Sequence, residues 1–348
     1  GVRNSTQSHC CDSTTPGLEA PEVIANLIAM RRGLLFLTSH LVVALVALVA
    51  IGGATRVMEA GLACPDWPLC YGSFLPGGRM NLQVFLEWFH RLDAFLVGIA
   101  LLVLAGWSVL RRQVLPSWLP WASGAALLLV AVQGLLGALT VTQLLRFDVV
   151  TAHLGTALVL VALLSGVHQG LTAQISSPGA SSAAGGTAFT RPSCMWVRAA
   201  ALATAMAALA VFAQAISGAL MATQWASGRC LSSGEACGLL ATHRQLAVPV
   251  ALVVVLACSF TLLTPATRQR SWPFALAGVL LVVLQVVLGV LTLRLSLAVP
   301  LVTVGHQITA ALLVGLLTGL AVRSWSLAPA PFSAVQPPRS STLESCHG

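Results

Sequence analysis

Lysine is absent from this chain, tyrosine occurs once, and charged residues make up only 8% of its 348 positions. Soluble globular domains usually contain about 25% charged residues, so the composition excludes a soluble domain. The formal net charge of +8 comes from arginines spread along an apolar chain, and it does not indicate a nucleic-acid-binding protein. The first 30 residues contain no apolar h-region, so no cleavable signal peptide is predicted.

Apolar sequence dominates instead, with 57% hydrophobic residues and a mean hydropathy of +0.88. Eight runs approach the ~20 residues that an α-helix needs to cross the hydrocarbon core. We therefore predict an all-α polytopic membrane protein with eight transmembrane helices, the second and sixth of which extend backwards into polar sequence. The runs are Gly33–Ile51, Leu92–Leu110, Trp118–Leu139, Val149–Thr172, Trp196–Ala222, Leu246–Thr264, Pro273–Leu293 and Val299–Val322.

The arginines predict how the helices are oriented. If both termini are cytoplasmic, eleven arginines lie on the cytoplasmic side and seven on the other. The pairs Arg31-Arg32 and Arg111-Arg112 both fall inside. This distribution follows the positive-inside rule. It also divides the cysteines, because Cys64 and Cys70, like Cys230 and Cys237, fall in outward loops where disulfides are stable.

The chain repeats itself. Gln133, Gly137 and Thr140 match Gln285, Gly289 and Thr292 at the same spacing, and His153 matches His306 with one extra residue in the second repeat. Because each repeat contains an even number of helices, the two four-helix bundles are predicted to be parallel repeats. A segment rich in Gly, Ser and Ala separates them. The predicted units are an N-terminal tail 1–31, a first half 32–172, a cytoplasmic linker 173–195, a second half 196–325 and a C-terminal tail 326–348.

Four histidines begin alternate helices at one depth: His90 and His153 in the first half, His243 and His306 in the second, 63 residues apart in each case. One isolated histidine in a bundle usually serves packing. A duplicated set of ionisable groups in a membrane points to function. Paired imidazoles on facing helices suit haem iron, and zinc is disfavoured because no carboxylate or thiolate repeats beside them. We predict one porphyrin site in each half.

Polar residues near the histidines differ between the halves. Glu87 lies one turn before His90, whereas Leu240 has that position before His243. Glu87 is either a carboxylate that acts at the first site or the partner of Arg91 in an i,i+4 ion pair. Arg91 and Arg244, which directly follow histidines, are candidates for binding haem propionates or for snorkelling to the interface.

Each outward cysteine pair is able to close a short loop. For Cys230 and Cys237 a structural disulfide is favoured. For Cys64 and Cys70, in the rigid loop "LACPDWPLCYG", thiol exchange with a partner is a second possibility.

The motif "GGATRVMEAGLACPDWPLCYG", followed by "EWFHR" and three further histidines on alternate helices, resembles the haem A synthase (CtaA/Cox15) family. The resemblance spans Leu34 to Val322. It implies oxidation of the C8 methyl of haem O to a formyl group by successive hydroxylation, for assembly of haem-copper terminal oxidases. His90 and His153 would ligate the substrate haem O, His243 and His306 a resident haem b, and Glu87 would be catalytic.

The resemblance also implies a bacterial inner-membrane location, a haem O synthase (protohaem farnesyltransferase) as a supplier, and a partner that exchanges electrons. We expect the protein to contact membrane lipid and to bind no nucleic acid. Whether it forms a homo-oligomer is left open. Two other functions share the histidine pattern. A bis-histidyl di-haem electron-transfer cytochrome would not modify a porphyrin, and a haem transporter would have one exchangeable site.

Overall fold

The computed structural model describes residues 21–175, 191–222, 230, 237–295 and 298–328, and its regular structure there is helical. Much of the two tails (1–20 and 329–348) and of the predicted linker (176–190) lies outside the described residues. The eight helices, named α1 to α8 here, are Pro21–Val57, Leu82–Leu110, Leu119–Thr142, Phe147–Ile175, Arg191–Met221, Cys237–Leu263, Pro265–Arg294 and Pro300–Leu327.

Each helix includes a segment long and apolar enough to cross a membrane, which confirms the predicted all-α polytopic fold. The predicted backward extension of the second and sixth helices is also confirmed, because α2 begins at Leu82 and α6 at Cys237. Residues at the N-termini account for the starts of α2, α7 and α8. The Asn81 side chain accepts a hydrogen bond from Val84 N at 2.9 Å at the start of α2, and Pro265 and Pro300 begin α7 and α8, where a missing N–H costs nothing.

Large apolar side chains remain on the outer faces of the helices, among them Trp121, Leu263 and Leu301. In a bilayer these side chains contact lipid, so outward apolar residues carry no penalty, and helices associate through close packing instead. Small residues provide that packing between the halves. Gly315 of α8 lies against Val161 and Ser165 of α4, where an added Cβ would be 2.8 Å from the serine hydroxyl.

The order of helix contacts is the same in both halves. In the first, α1 packs on α2, α2 on α3, α3 on α4 and α4 back on α1; in the second, α5 to α8 repeat this order. The halves meet along α4 and α8, α1 and α8, and α4 and α5. This order is what two four-helix units require, while their parallel symmetry and the unit boundaries stay predictions.

The end of the bundle that carries the α1–α2 and α5–α6 connections is called the disulfide end here. Cys64–Cys70 and Cys230–Cys237 are both bonded there, each with a Cα–Cα distance of 4.8 Å. Helix α1 ends in a residue of left-handed conformation, Glu59 (φ 54°), and Ala60 N then donates to Thr55 O at 2.8 Å. This is a Schellman ending, which gives Glu59 a local structural role.

Candidate functional site

Each of the four predicted histidines faces a glycine on the preceding helix. A Cβ built on that glycine would approach the histidine Cε1 to 3.0 Å at Gly52 (His90), 3.7 Å at Gly137 (His153), 2.8 Å at Gly218 (His243) and 2.9 Å at Gly289 (His306). Three of these distances are too short for a real Cβ to be accommodated without movement. The absence of a side chain is therefore what lets the imidazoles lie against α1, α5 and α7.

In the first half the two imidazoles are brought together. The ring centroids of His90 and His153 are 6.5 Å apart with an interplanar angle of 77°. Metal–imidazole bonds are about 2 Å long and the ring centre lies about 1 Å behind the nitrogen, so two axial ligands of one metal place their centroids roughly 6 Å apart. The Nδ1 atoms of both rings are buried and have no hydrogen-bond partner among the described residues.

In the second half the imidazoles are held by hydrogen bonds. His243 Nδ1 lies 2.8 Å from the Ser217 hydroxyl, which itself donates to Gln214 O at 2.8 Å. The hydroxyl therefore accepts from Nδ1–H. His306 Nδ1 lies 3.1 Å from Gln285 O, and a carbonyl only accepts. Both rings thus carry their proton on Nδ1, which leaves the Nε2 lone pair for a metal.

A glutamine four residues before the glycine supports three of the four histidines. Gln133 Nε2 donates to His153 O at 2.9 Å and to the Thr156 hydroxyl at 2.8 Å. Gln214 Nε2 donates to His243 O at 2.6 Å. In α7, Gln285 accepts from the Thr309 hydroxyl, and its Nε2 lies 3.5 Å from His306 Nε2, at the limit of a hydrogen bond.

Sequence reasoning matched Gln133 with Gln285 but missed Gln214 and Ser217. The signal that identifies Gln214 is the spacing Gln-x-x-x-Gly, which occurs in α3, α5 and α7. Helix α1 has Leu48 at the corresponding position. Helix α1 therefore provides no glutamine to support His90.

A disulfide loop covers the disulfide end of the first site. Cys64, Cys70 and Val84 of α2 form a small buried cluster. Glu87 is 4% exposed, and its Oε2 accepts from Cys64 N at 2.8 Å. Trp88 Nε1 also donates to Phe74 O at 2.7 Å. The loop is thus attached to α2 one turn from His90.

Arg91 holds the same loop. Its guanidinium donates to Glu87 Oε1 at 2.5 Å and to the backbone oxygens of Asp66, Leu69 and Cys64 at 2.6, 2.5 and 3.4 Å. The predicted ion pair of Glu87 and Arg91 is therefore present, whereas propionate binding by Arg91 stays a prediction. Arg244 is exposed, and no described residue accepts a hydrogen bond from it.

Within the loop, Asp66 accepts from Gly72 N at 2.9 Å and from Tyr71 N at 2.6 Å. The backbone hydrogen bond from Gly72, with that from Tyr71 and the nearby charge of Arg91, lowers the pKa of the Asp66 carboxyl below its ordinary value despite some desolvation. These bonds hold the turn after Cys70 while the carboxyl is ionised.

His168 and His40 have hydrogen-bond partners away from the two pairs. His168 Nδ1 contacts the Thr38 hydroxyl at 3.0 Å, and His40 Nδ1 contacts Phe36 O at 2.7 Å. Asp93 lies one turn beyond His90, half-buried, without a hydrogen-bond donor among the described residues. In the described part of the chain, no group of three or more His, Cys, Asp or Glu side chains is positioned to bind a metal. The histidines come as pairs.

Fold and site together define a polytopic membrane protein with a facing histidine pair in the first half, two glycine-backed histidines in the second, and a disulfide loop over the first pair. The chain belongs to the COX15-CtaA family, described as cytochrome oxidase assembly protein, whose model matches residues 33–318.

Several individual proteins are similar in sequence to this chain. A protein of Rhodospirillum centenum named "Heme A synthase" is 29% identical over 346 residues, which cover 86% of this chain and 87% of the relative. Proteins of the same name from Shewanella oneidensis and Sphingopyxis alaskensis are 36% and 31% identical over shorter segments. Those segments cover 33% and 39% of this chain, and 39% and 47% of the relatives.

Proposed function

We propose that this chain is a haem A synthase, an oxidoreductase that converts the C8 methyl group of haem O to a formyl group. Family membership and the shared name of the relatives support the reaction. The facing imidazoles of His90 and His153, and the glycines opposite all four histidines, support a porphyrin site in each half. An ordinary side chain in place of these glycines would displace the rings.

The two histidine pairs are assigned different ligands because their imidazoles differ in hydrogen bonding. His243 and His306 have an Nδ1 partner, which suits a permanently bound cofactor. The Nδ1 atoms of His90 and His153 have no partner among the described residues, which suits a substrate that must enter and leave. We therefore assign haem b to His243 and His306, and haem O to His90 and His153. When bound, haem b supplies an electron relay.

The residues of the first half can be given roles in the methyl oxidation. Each hydroxylation is a two-electron oxidation that draws on an external oxidant, either dioxygen or an electron acceptor with water as the oxygen source. Two of them yield a hydroxymethyl group and then a geminal diol, which loses water to form the aldehyde. Glu87 places a buried carboxylate one turn from His90, on the same helix face. There it stabilises positive charge that develops beside the ring, or receives a proton from the hydroxylated carbon.

The disulfide loop acts on the same carboxylate. The Cys64 N–H and Arg91 together use one hydrogen-bond position on each Glu87 oxygen, and a carboxylate has about four such positions. No described residue donates to the remaining positions. Arg91 and the Cys64–Cys70 disulfide thus fix the orientation of Glu87 and exclude water from the disulfide end of the first site.

We assign the protein to the bacterial inner membrane with both termini in the cytoplasm. The arginine distribution supports this orientation, and so does the position of both disulfides at one end, because disulfides persist outside the cytosol. Haem O synthase is the expected supplier of substrate.

The reaction is tested by co-expressing the full chain with a haem O synthase and identifying the extracted haems. We expect hydroxymethyl and formyl haem from the wild type. Glu87→Gln, which keeps the side-chain size but removes the charge, should lose these products and retain the haem b spectrum. A wild type that binds two unmodified haems would instead be a di-haem electron carrier, and one without stably bound haem b would be a transporter.

A further inference from the structure

Arg56 is a cation in the last turn of α1, and its partners among the described residues do not balance its charge. It is half-buried, and its Nη1 donates to Ala222 O, just beyond the end of α5, at 3.3 Å. The two ion pairs found among the described residues involve other arginines. A cation within the membrane without an anion is costly, so its position calls for an anionic ligand.

Arg56 lies between the two histidine-pair sites. It is one turn from Gly52, the glycine that faces His90, and Ala222 is one turn from Gly218, the glycine that faces His243. Four residues of helix span about 6 Å, so Arg56 and Ala222 each lie about 6 Å nearer the disulfide end than the glycine before them. The guanidinium therefore reaches across the boundary between the halves, on the disulfide-end side of both sites.

Unpartnered polar atoms line the same boundary on α8. Gln307, next to His306, lies so close to α1 that a Cβ on Gly53 would be 2.7 Å from its Oε1, an atom with no partner in the described part of the chain. Thr303, one turn toward the disulfide end, is 8% exposed, and its hydroxyl has no hydrogen-bond partner among the described residues. Helical rise places Thr303 and Arg56 at the same depth to within about 2 Å.

We propose that Arg56, with the Thr303 hydroxyl, binds a carboxylate of the porphyrin held by His243 and His306. The proposal rests on the assignment of haem b to the second half. A carboxylate accepts hydrogen bonds only, and both groups offer donors. Arg91, the sequence-based candidate in the first half, already donates to Glu87 and three carbonyls. In this arrangement the first half completes the cofactor site of the second.

The test uses the purified full-length protein and three variants: Arg56→Gln, Arg56→Lys and Thr303→Val. Arg294→Gln is the matched control, because it removes an exposed arginine at the same end of the bundle. Haem b content, the rate of haem transfer to apomyoglobin and the haem midpoint potential are measured, with thermal unfolding recorded in parallel.

We expect Arg56→Gln to accelerate haem loss about 10- to 100-fold, as the loss of a charge-assisted hydrogen bond predicts. The midpoint potential should fall, because removing a positive charge favours the ferric state. Arg56→Lys should restore part of both effects, and Thr303→Val should show a smaller change of the same sign. The Arg294→Gln control should match the wild type.

Two results would overturn the proposal. If Arg56→Gln lowers the unfolding temperature but leaves haem loss and potential unchanged, Arg56 serves only to cap α1 and α5. If Arg56→Gln does not fold, wild-type haem binding and potential in both Arg56→Lys and Thr303→Val would refute it. Absence of haem b from the wild type would contradict the proposed function itself.

Discussion

Replacing Gly218 or Gly289 by alanine should expel haem b from the second half. The added Cβ would be 2.8 or 2.9 Å from the Cε1 of His243 or His306, where real contacts are rarely shorter than 3.4 Å. Each ring would have to move by about 0.5–0.6 Å, more than the roughly 0.2 Å by which metal–ligand distances vary. We expect haem b content to fall at least about tenfold in either variant, a loss typical of disturbed metal-site support.

The sign of the stability change makes this experiment informative. Glycine inside a helix is less stable than alanine by roughly 0.5–1 kcal/mol, so the helix itself gains from the substitution. Reduced haem content therefore cannot be attributed to a weaker helix. Gly305→Ala is the matched control, because Gly305 precedes His306 but its added Cβ would only contact Leu288, at 3.6 Å.

The assay is haem b per protein by pyridine haemochrome spectra, together with thermal unfolding of the purified protein. The Gly305→Ala variant should retain haem. Wild-type haem content in both Gly218→Ala and Gly289→Ala would refute the reasoning, since it would mean that the imidazoles do not need the space beside these glycines.

Three further predictions concern single contacts. Ser217→Ala should leave His243 without its Nδ1 acceptor and lower haem b affinity by about 10-fold; equal affinity, measured by haem transfer, would contradict this role. Arg91→Gln should release the loop, so that dithiothreitol reduces Cys64–Cys70 several times faster than in Arg79→Gln; equal rates would show that other contacts suffice. The pKa of Asp66 is depressed, so its contribution to loop stability is present above the ordinary carboxyl pKa of about 3.9 and is lost as the pH falls through the lower folded value. The protection factors of the loop amides, which correct exchange for its intrinsic pH dependence, should therefore fall in acid in the wild type and be low at all pH values in Asp66→Ala; a wild-type profile without this acid step would contradict the role of Asp66.

Sequence reasoning found the histidines because duplication is visible along the chain. His90 and His243 are each followed by a second histidine after 63 residues, and chance does not preserve such spacing. It also found Glu87, because only one repeat carries a carboxylate there. These inferences depend on order along the chain, which a sequence states directly.

The glycines opposite the histidines were harder to interpret. Gly137 and Gly289 were recognised as repeated positions, but their purpose depends on which helix packs against which. A glycine in an apolar run is equally consistent with close helix packing. The helix pairs α3–α4 and α7–α8 had to be assembled before the space beside each glycine could be assigned to an imidazole.

The contacts of Arg91 also could not be predicted from its position in the chain. Its position directly after His90 suggested a propionate, whereas the folded loop directs three backbone oxygens and Glu87 at its guanidinium. No role was assigned to Arg56 from its position at the end of α1. Its place between the halves follows only from the packing of α1 on α8 and its contact with the end of α5.

By itself the sequence determined eight apolar helices and predicted a duplicated plan with four histidines at one depth, because hydropathy and repeat spacing are properties of the chain alone. The tertiary structure decided which donors and acceptors surround each imidazole. Residues such as Ser217 and His243, or Arg56 and Ala222, are far apart in the chain and meet only after the helices pack, so their hydrogen bonds leave no periodic trace in the sequence.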